Sequence, residues 1–140
     1  MDPILSIQNL HVEAGGRHKR KTIVNNINID VAPGEVVALI GESGAGKSTI
    51  GLATLGYARA GCHLSGGKIL FRGQDIMTMS TAERRQMRGK EIAYVAQSAA
   101  AAFNPAHMIG SQIIEAAEIH GVMDRDSAKK RMIELCKQMQ

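Results

Sequence analysis

The stretch that decides the fold of this chain is Gly41-Glu42-Ser43-Gly44-Ala45-Gly46-Lys47-Ser48. It matches the pattern G-x-x-x-x-G-K-[ST] at every fixed position. Glycine permits positive φ and lets backbone amides approach a bulky anion where a Cβ would clash. The lysine adds a positive charge and the serine a hydroxyl group. Together these features predict a loop that wraps the phosphates of a nucleotide.

The flanking residues supply the context that this motif requires. Val36-Val37-Ala38-Leu39-Ile40 precedes the loop as an unbroken apolar run, which is typical of a strand covered on both faces in a parallel sheet. Residues 47 to about 55 predict a helix whose N-terminus brings about +0.5 charge to the loop. We therefore predict that residues 41–49 bind Mg²⁺-ATP. Lys47 would reach the β- and γ-phosphates, Ser48 would ligate Mg²⁺ and Thr49 would touch the α-phosphate.

Other segments predict an antiparallel β layer and a second core strand. Apolar and polar residues alternate over 27–31, and Pro33-Gly34 marks a turn directly after them. Strands over 4–12, 22–31 and 67–72 would form the layer. Residues 92–96 indicate a second buried strand, in the same sheet as residues 36–40.

Helices are predicted in the rest of the chain. Ser80-Thr81-Ala82-Glu83 fits a capping box, so a helix should begin there and end near Arg88. An alanine run over 99–102 ends at Asn104-Pro105, where proline limits any preceding helix. The two last helices are predicted from apolar stripes that should face the core. These stripes are Ile109, Ile113 and Ala116 or Ala117, and then Ala128, Met132, Leu135, Cys136 and Met139.

Composition excludes several classes of function. The 140 residues are 44% hydrophobic and 21% charged, which is ordinary for a globular domain. The formal net charge is +4, yet much of the excess lies in Arg17, Lys19, Arg20 and Lys21, which we interpret as a solvated loop. With few aromatic residues for base stacking, no nucleic-acid partner is predicted. The two cysteines lack metal-ligand spacing and are predicted to be reduced and mostly buried. No leader or membrane-spanning run is present, so a cytosolic location is expected.

These motifs resemble those of the ATP-binding subunits of ABC transporters. The resemblance rests on Pro33-Gly34-Glu35, on residues 41–49, on Gly67-Lys68-Ile69-Leu70-Phe71-Arg72-Gly73 and on Ile92-Ala93-Tyr94-Val95-Ala96-Gln97. It implies that Gln97 ends the second core strand, ligates Mg²⁺ or the attacking water, and senses a transmembrane partner. Lys47 and Gln97 would then be the catalytic residues, and Ser48 and Gln97 the metal ligands.

The resemblance is strongest to the branch that imports dipeptides, oligopeptides or nickel, because Gln97 is followed at the same spacing by Asn104-Pro105. It also shows departures. Leu64-Ser65-Gly66-Gly67-Lys68 looks like the family signature, but it precedes Gln97 and is interpreted as a turn before a strand. Ala14 stands where the family places an aromatic residue that stacks on adenine. The loss of one stacking partner would weaken binding about ten- to hundredfold.

The fold expected is α/β, an incomplete P-loop NTPase domain of the ABC type. An antiparallel layer would occupy 1–35 and 66–76, the P-loop core 36–60 and 77–98, and the start of a helical subdomain 99–140. After Gln97 the chain shows no signature motif, no strand ending in Asp-Glu and no switch histidine. We therefore expect a truncated polypeptide that alone hydrolyses ATP negligibly.

The function that the resemblance implies is to couple ATP to the uptake of peptides or a related solute. Its partners would be transmembrane permease subunits, a second ATP-binding domain and, indirectly, an extracytoplasmic solute-binding protein. The chain would then lie at the cytoplasmic face of the inner membrane. Two alternatives stay open: a nucleotide-binding module without turnover, and another P-loop enzyme such as a kinase.

Overall fold

A computed structural model describes residues 2–16, 19–98 and 102–139. The chain forms two compact units, Met1–Arg85 and Gln86–Gln140. Its strands are β1 (Leu5–Ala14), β2 (Lys21–Val31), β3 (Cys62–Phe71) and β4 (Gln74–Asp75). Its helices are α1 (Lys47–Ala53), α2 (Thr81–Met87), α3 (Ile109–Ile119) and α4 (Arg125–Gln138), with a 3-10 turn at Ile76–Thr78.

The first unit contains an antiparallel sheet with strand order β2-β1-β3-β4. Leu5 pairs with Val31 on one side and with Phe71 on the other, so β1 lies in the middle. The predicted antiparallel layer is confirmed. Its third strand is longer than expected, because β3 already begins at Cys62.

The predicted turn at residues 64–68 is therefore wrong, since these residues lie inside β3. The pairing of β1 with β3 shifts register between Gln8–Lys68 and His11–Gly66, which makes a bulge in the ladder. Gly67 sits at this irregularity with a φ of +93°, and a Cβ there would lie 2.6 Å from the Gln8 carbonyl oxygen. Glycine marks a close backbone approach within a strand here.

One face of the sheet carries the apolar core of the first unit. Ile7, Leu10 and Val12 of β1 are buried, together with Val24 of β2 and Ile69 of β3. Ile7 and Leu10 are three positions apart and would point to opposite faces of a regular strand. The register shifts between them bring both side chains to the same face. The alternation over 27–31 is confirmed, because Asn28 and Asp30 are exposed and their neighbours are half-buried.

The two predicted core strands are not hydrogen-bonded strands in the described residues. Residues 36–40 and 93–96 join no β-ladder there, and Ile92 forms only an isolated bridge with Arg88. Their side chains are far from buried: Val36 is 94% exposed, Ile40 95% and Val95 91%. Both segments are apolar, but a strand also needs a neighbouring strand to form a ladder. The strands β1, β2, β3 and β4 pair with one another and not with these segments.

The predicted capping box is confirmed at the start of α2. The Ser80 amide donates to the Glu83 carboxylate at 2.6 Å, and the Glu83 amide donates to the Ser80 hydroxyl at 3.2 Å. Asp124 caps α4 in a related way, accepting from the amides of Asp126 and Ser127. Each carboxylate satisfies amides that a helix leaves unpaired at its first turn.

The stripe predicted for the first of the last two helices is wrong by one residue. Ile114 of α3 is buried, whereas Ile109 and Ile113 are exposed. Gly110 lies beside α4, where a Cβ added to it would come within 3.7–3.9 Å of the end of the Met132 side chain. Gly110 and Met132 therefore lie where α3 and α4 contact each other.

The stripe of α4 is covered only near its start. Ala128 is buried and Met132 half-buried, but Leu135, Cys136 and Met139 are exposed. Cys136 is thus an exposed free thiol, which corrects the expectation of two mostly buried thiols, while Cys62 is half-buried and also free. Two packed helices can cover only the part of a stripe that lies between them.

The basic segment between β1 and β2 lies largely in solvent. Lys19, Arg20 and Lys21 are exposed, and Arg20 pairs with Glu13 at 3.2 Å. Arg17 lies outside the described residues, as do 99–101 of the alanine run. In the parts of the chain that the structure describes, no helix is long and apolar enough to cross a bilayer.

The carboxylates of the two helix caps, Glu83 and Asp124, should titrate independently of each other. Hydrogen bonds from the Ser80 side chain and then from its amide lower the pKa of Glu83 below its ordinary 4.5. Hydrogen bonds from the Ser127 amide and then from its hydroxyl lower the pKa of Asp124 below 3.8. A lowered pKa stabilises the folded state above the unfolded pKa, and that stabilisation is lost as the pH falls through the folded value.

We expect Ser80→Ala to raise the pKa of Glu83 towards 4.5 and to leave that of Asp124 unchanged. Ser127→Ala should do the reverse, raising only the pKa of Asp124, and only in part because its amide still donates. An NMR titration of the side-chain carboxyl carbons measures both values in both variants. Equal effects of the two substitutions at both carboxylates would contradict independent caps.

Candidate functional site

The loop at residues 41–48 enters α1 through a tight turn. The Ala45 amide donates to the Glu42 carbonyl at 3.2 Å, and residues 41–45 are exposed. Gly44 and Gly46 have φ of +85° and +84°, conformations that favour glycine. Gly41 does not share this conformation. A Cβ on Gly41 would instead touch Ala45 at 3.4 Å.

Gly46 fixes the loop against the sheet. A Cβ at this position would lie 3.1 Å from the Ile23 carbonyl oxygen and 3.2 Å from the Val24 side chain. Position 46 therefore favours glycine for two reasons: the positive φ of its backbone and the small space between it and β2. Val24 is buried and pairs with Val12, so the loop rests on the core face of the sheet.

Helix α1 is anchored at the same place. The Ile50 amide donates to the Gly46 carbonyl at 2.9 Å, which closes the first helical turn. Ile50 and Ala53 are buried one turn apart and hold the helix on the core. The amides of its first residues have no partner within the helix, and they point towards the loop.

Lys47 ties the two ends of the loop together. Its ammonium donates to the carbonyl of Gly41 and to that of Glu42, both at 2.6 Å. Both contacts are exposed and short, as expected for a charged donor. The lysine therefore lies over the loop, in reach of anything that the loop encloses. Ser48 is exposed at the first turn of α1, and Thr49 is half-buried beside it.

The chemistry of this arrangement is anion binding. Two glycines in left-handed conformation, the first amides of a helix and one ammonium all lie within a single octapeptide. Successive amides in such turns form concave sites for anions. The Ser48 hydroxyl adds an oxygen of the kind that Mg²⁺ prefers. Among the described residues no cluster of three or more His, Cys, Asp or Glu could hold a metal on its own.

Gln97 belongs to the second unit. It lies at an exposed bend after residues 93–96. The Asn104-Pro105 segment that follows is organised by Gln112 of α3, whose side chain accepts from the Asn104 amide at 2.8 Å and donates to the carbonyls of Asn104 and His107. Sequence reasoning missed Gln112, because a glutamine in a helix gives no local signal of a contact eight residues back.

His120 is a second contact that the sequence did not reveal. Its Nε2 lies 2.8 Å from the Arg88 carbonyl oxygen, so this nitrogen carries the proton and donates. Gly89 has a φ of +83°, and a Cβ there would come within 3.2 Å of the ring. The end of α3 is thereby fixed to the chain just after α2.

Ala14 ends β1 where the sequence predicted the missing aromatic residue. It pairs with Lys21 on β2 and with Cys62 on β3. The neighbouring Glu13 binds His63 at 3.1 Å and Arg20 at 3.2 Å through the same carboxylate oxygen. No Phe, Tyr or Trp occupies these paired positions at the strand ends.

The fold is that of an ATP-binding cassette. The solved dimeric structure of MJ0796, a bacterial ABC transporter cassette, superposes with a TM-score of 0.77 over 95% of this chain and 56% of that chain, at 19% identity. A second structure of MJ0796, in a post-hydrolysis state bound to ADP and Pi, gives a TM-score of 0.74 at 18% identity. At such low identity the likeness shows the fold alone.

The family profile described as ABC transporter matches residues 24–140. The chain therefore belongs to the ABC transporter family. It is 37% identical over 133 residues to a putative peptide import ATP-binding protein of Brucella abortus, covering 95% of this chain and 40% of that one. It is 34% identical over 136 residues to the dipeptide transport ATP-binding protein DppD of Escherichia coli, covering 97% and 42%. The chain spans about two fifths of the length of these relatives.

Substitution of the two left-handed glycines should separate backbone strain from crowding. Gly44 and Gly46 share nearly the same φ, but a Cβ on Gly44 has nothing within 4 Å. We expect Gly44→Ala to cost only the strain of its φ, and Gly46→Ala to cost more, because it adds the clash with Ile23; each unfavourable φ costs about 1–3 kcal/mol. Urea unfolding of the two variants measures both losses. A Gly46→Ala loss no larger than that of Gly44→Ala would show that the loop does not depend on its contact with β2.

Proposed function

We propose that this chain is the nucleotide-binding part of an ABC transporter subunit and that residues 41–49 hold the phosphates of Mg²⁺-ATP. The observation that carries the proposal is the position of Lys47, the first residue of α1, whose ammonium donates to two loop carbonyls at 2.6 Å. Membership of the ABC transporter family supports it, since the matched region includes the whole loop. One solved relative in fold carries ADP and Pi.

The loop suits a polyphosphate in charge and in shape. Gly44 and Gly46 turn the backbone so that amides can face an enclosed anion, and the loop is exposed enough to receive one. Lys47 would exchange its two carbonyl contacts for phosphate oxygens, a charge-assisted bond that is stronger than a neutral one. Glu42 and Ser43 are exposed in the loop, and Thr49 is half-buried in the first turn of α1.

Mg²⁺ fits the donor atoms present at the start of α1. The Ser48 hydroxyl is a hard oxygen ligand, and Mg²⁺ commonly combines one or two protein oxygens with phosphate oxygens and waters. Bound Mg²⁺ would neutralise part of the negative charge of the phosphates. Gln97 is proposed as a further ligand to the metal or to water, as in the family that the chain belongs to.

We further propose that the complete protein powers peptide import. Its relative in Brucella abortus carries a name for peptide import, and its relative in Escherichia coli a name for dipeptide transport. Transmembrane permeases and a second ATP-binding domain would then be its partners, at the cytoplasmic face of the membrane. MJ0796, the relative in fold, is itself dimeric.

Substitution of Lys47 is the most direct test of nucleotide binding. Lys47→Ala should weaken Mg²⁺-ATP binding about 10- to 150-fold, because a hydrogen bond to a charged group contributes about 1.5–3 kcal/mol. Isothermal titration of the 140-residue chain with Mg²⁺-ATP measures this loss. Ser48→Ala should leave binding of metal-free ATP nearly unchanged while abolishing any gain that Mg²⁺ gives.

The matched control is Lys68→Ala, which removes the same charge from an exposed position on β3. We expect its affinity for Mg²⁺-ATP to equal that of the original chain. Absence of heat with Mg²⁺-ATP, or equal losses in Lys47→Ala and Lys68→Ala, would overturn the proposal.

A further inference from the structure

Helix α3 holds the chain on both sides of Gln97. Gln112 binds the turn that follows Gln97 in the sequence, and His120 binds the loop that precedes it. All of these residues belong to the second unit. Gln112 and His120 stand two turns apart, which is about 12 Å along a helix that rises about 1.5 Å per residue. One rigid element therefore carries both contacts.

The contact of Gln112 is a closed set of three hydrogen bonds. Its Oε1 accepts from the Asn104 amide at 2.8 Å, and its Nε2 donates to the carbonyl oxygens of Asn104 and His107, both at 2.9 Å. The turn is also closed from within, because the Asn104 side chain accepts from the Ala106 amide at 3.0 Å. One side chain thus satisfies one backbone donor and two backbone acceptors that no strand or helix would otherwise pair.

The contact of His120 uses one of its two ring nitrogens. Nε2 lies 2.8 Å from the Arg88 carbonyl oxygen, whereas Nδ1 is buried and has no hydrogen-bond partner among the described residues. A buried polar atom without a partner costs free energy. Gly89 leaves the space that the ring occupies, since a Cβ there would come within 3.2 Å of Nε2. The ring is therefore attached to the loop through Nε2.

The loop that His120 binds leads directly into the segment of Gln97. The Gly89 amide donates to the Ile92 carbonyl at 2.9 Å, and the Ile92 amide donates to the Met87 carbonyl at 3.1 Å. Arg88 and Ile92 also form the isolated parallel bridge. In the described part of the chain, these are the last backbone hydrogen bonds before Gln97, and residues 93–95 after them are exposed. The loop at residues 87–92 is thus the fixed point from which this segment starts.

We propose that Gln112 and His120 are positioning residues, which attach both ends of the segment around Gln97 to α3 so that this segment moves with the helix. A segment held at both ends samples fewer conformations than one that is held at a single end. Any displacement of α3 is thereby passed on to Gln97. The consequence for nucleotide binding rests on the proposed function, in which Gln97 contributes to the Mg²⁺ site, whereas the attachment itself does not.

The test at His120 compares substitutions that place a donor at different distances from the backbone. The amide nitrogen in His120→Gln is as many bonds from Cα as Nε2 is, whereas in His120→Asn it is only as far as Nδ1. Nitrogen-15 relaxation of the 140-residue chain gives the order parameters of the amides of residues 93–97. We expect His120→Gln to leave them unchanged, and His120→Asn and His120→Phe to lower them below about 0.6, the range of a flexible backbone.

The test at Gln112 addresses the other end of the segment. Gln112→Glu keeps the acceptor for the Asn104 amide but loses both donated bonds, and Gln112→Ala loses all three. We expect the order parameters of residues 93–97 to fall in Gln112→Glu and further in Gln112→Ala, where the Asn104 amide should also exchange with solvent about tenfold faster or more. The controls are His107→Ala, whose ring makes none of these contacts, and Gln138→Ala at the end of α4, and both should resemble the original chain.

Unchanged order parameters in His120→Phe and Gln112→Ala would overturn the proposal, because the two side chains would then only fill space. Order parameters already below about 0.6 in the original chain would overturn it as well. Isothermal titration with ATP, with and without Mg²⁺, adds the link to the proposed function: both variants should lose part of the affinity that Mg²⁺ adds, as Gln97→Ala should. An original chain that binds no ATP would contradict the proposed function alone, since the order parameters are measured without nucleotide.

Discussion

The close approach of Gly46 to the Ile23 carbonyl is the contact on which the candidate site depends. It lets the loop descend onto β2 and start α1 at the same point, so that Ile50 and Ala53 reach the core. A methyl group at Gly46 would require its neighbours on β2, Ile23 and Val24, to shift by a few tenths of an ångström, in addition to the strain of its positive φ. The two carbonyls that Lys47 bridges, those of Gly41 and Glu42, belong to the same loop and would move with it.

Local patterns predicted the parts of the fold whose partners lie close in sequence. The capping box at Ser80 and Glu83 needs only four residues, and both of its bonds form. The alternation in β2 succeeded because antiparallel neighbours cover one face and leave the other in water. The loop was predictable for the same reason, since its glycines and Lys47 interact within one octapeptide.

Features that depend on distant residues could not be predicted in this way. Helix α3 buries Ile114 and exposes Ile113, and which side is covered depends on its packing against α4, which the stripe of α3 does not encode. The strands expected at 36–40 and 92–96 were also wrong because they depend on distant residues. Their apolar residues indicate coverage on both faces, yet Val36, Ile40 and Val95 are the most exposed of the residues concerned. The apolar pattern of a segment predicts whether it suits a buried or an exposed environment. It does not predict whether another strand is available to pair with it, because that depends on the whole sheet.

The antiparallel sheet gives the first unit two faces with different chemistry. Bulges in β1 bring Ile7, Leu10 and Val12 to one face, which is apolar and supports the loop through Val24. The other face keeps Ser6 buried but hydrogen-bonded to Gln8, and it ends at the strained Arg72. Ser6 can be buried on this face because its hydroxyl accepts from the side-chain amide of Gln8, which satisfies the polar group. The Arg72-Gly73 turn needs positive φ at both residues to join β3 to β4, so the geometry of the hairpin accounts for the conformation of Arg72.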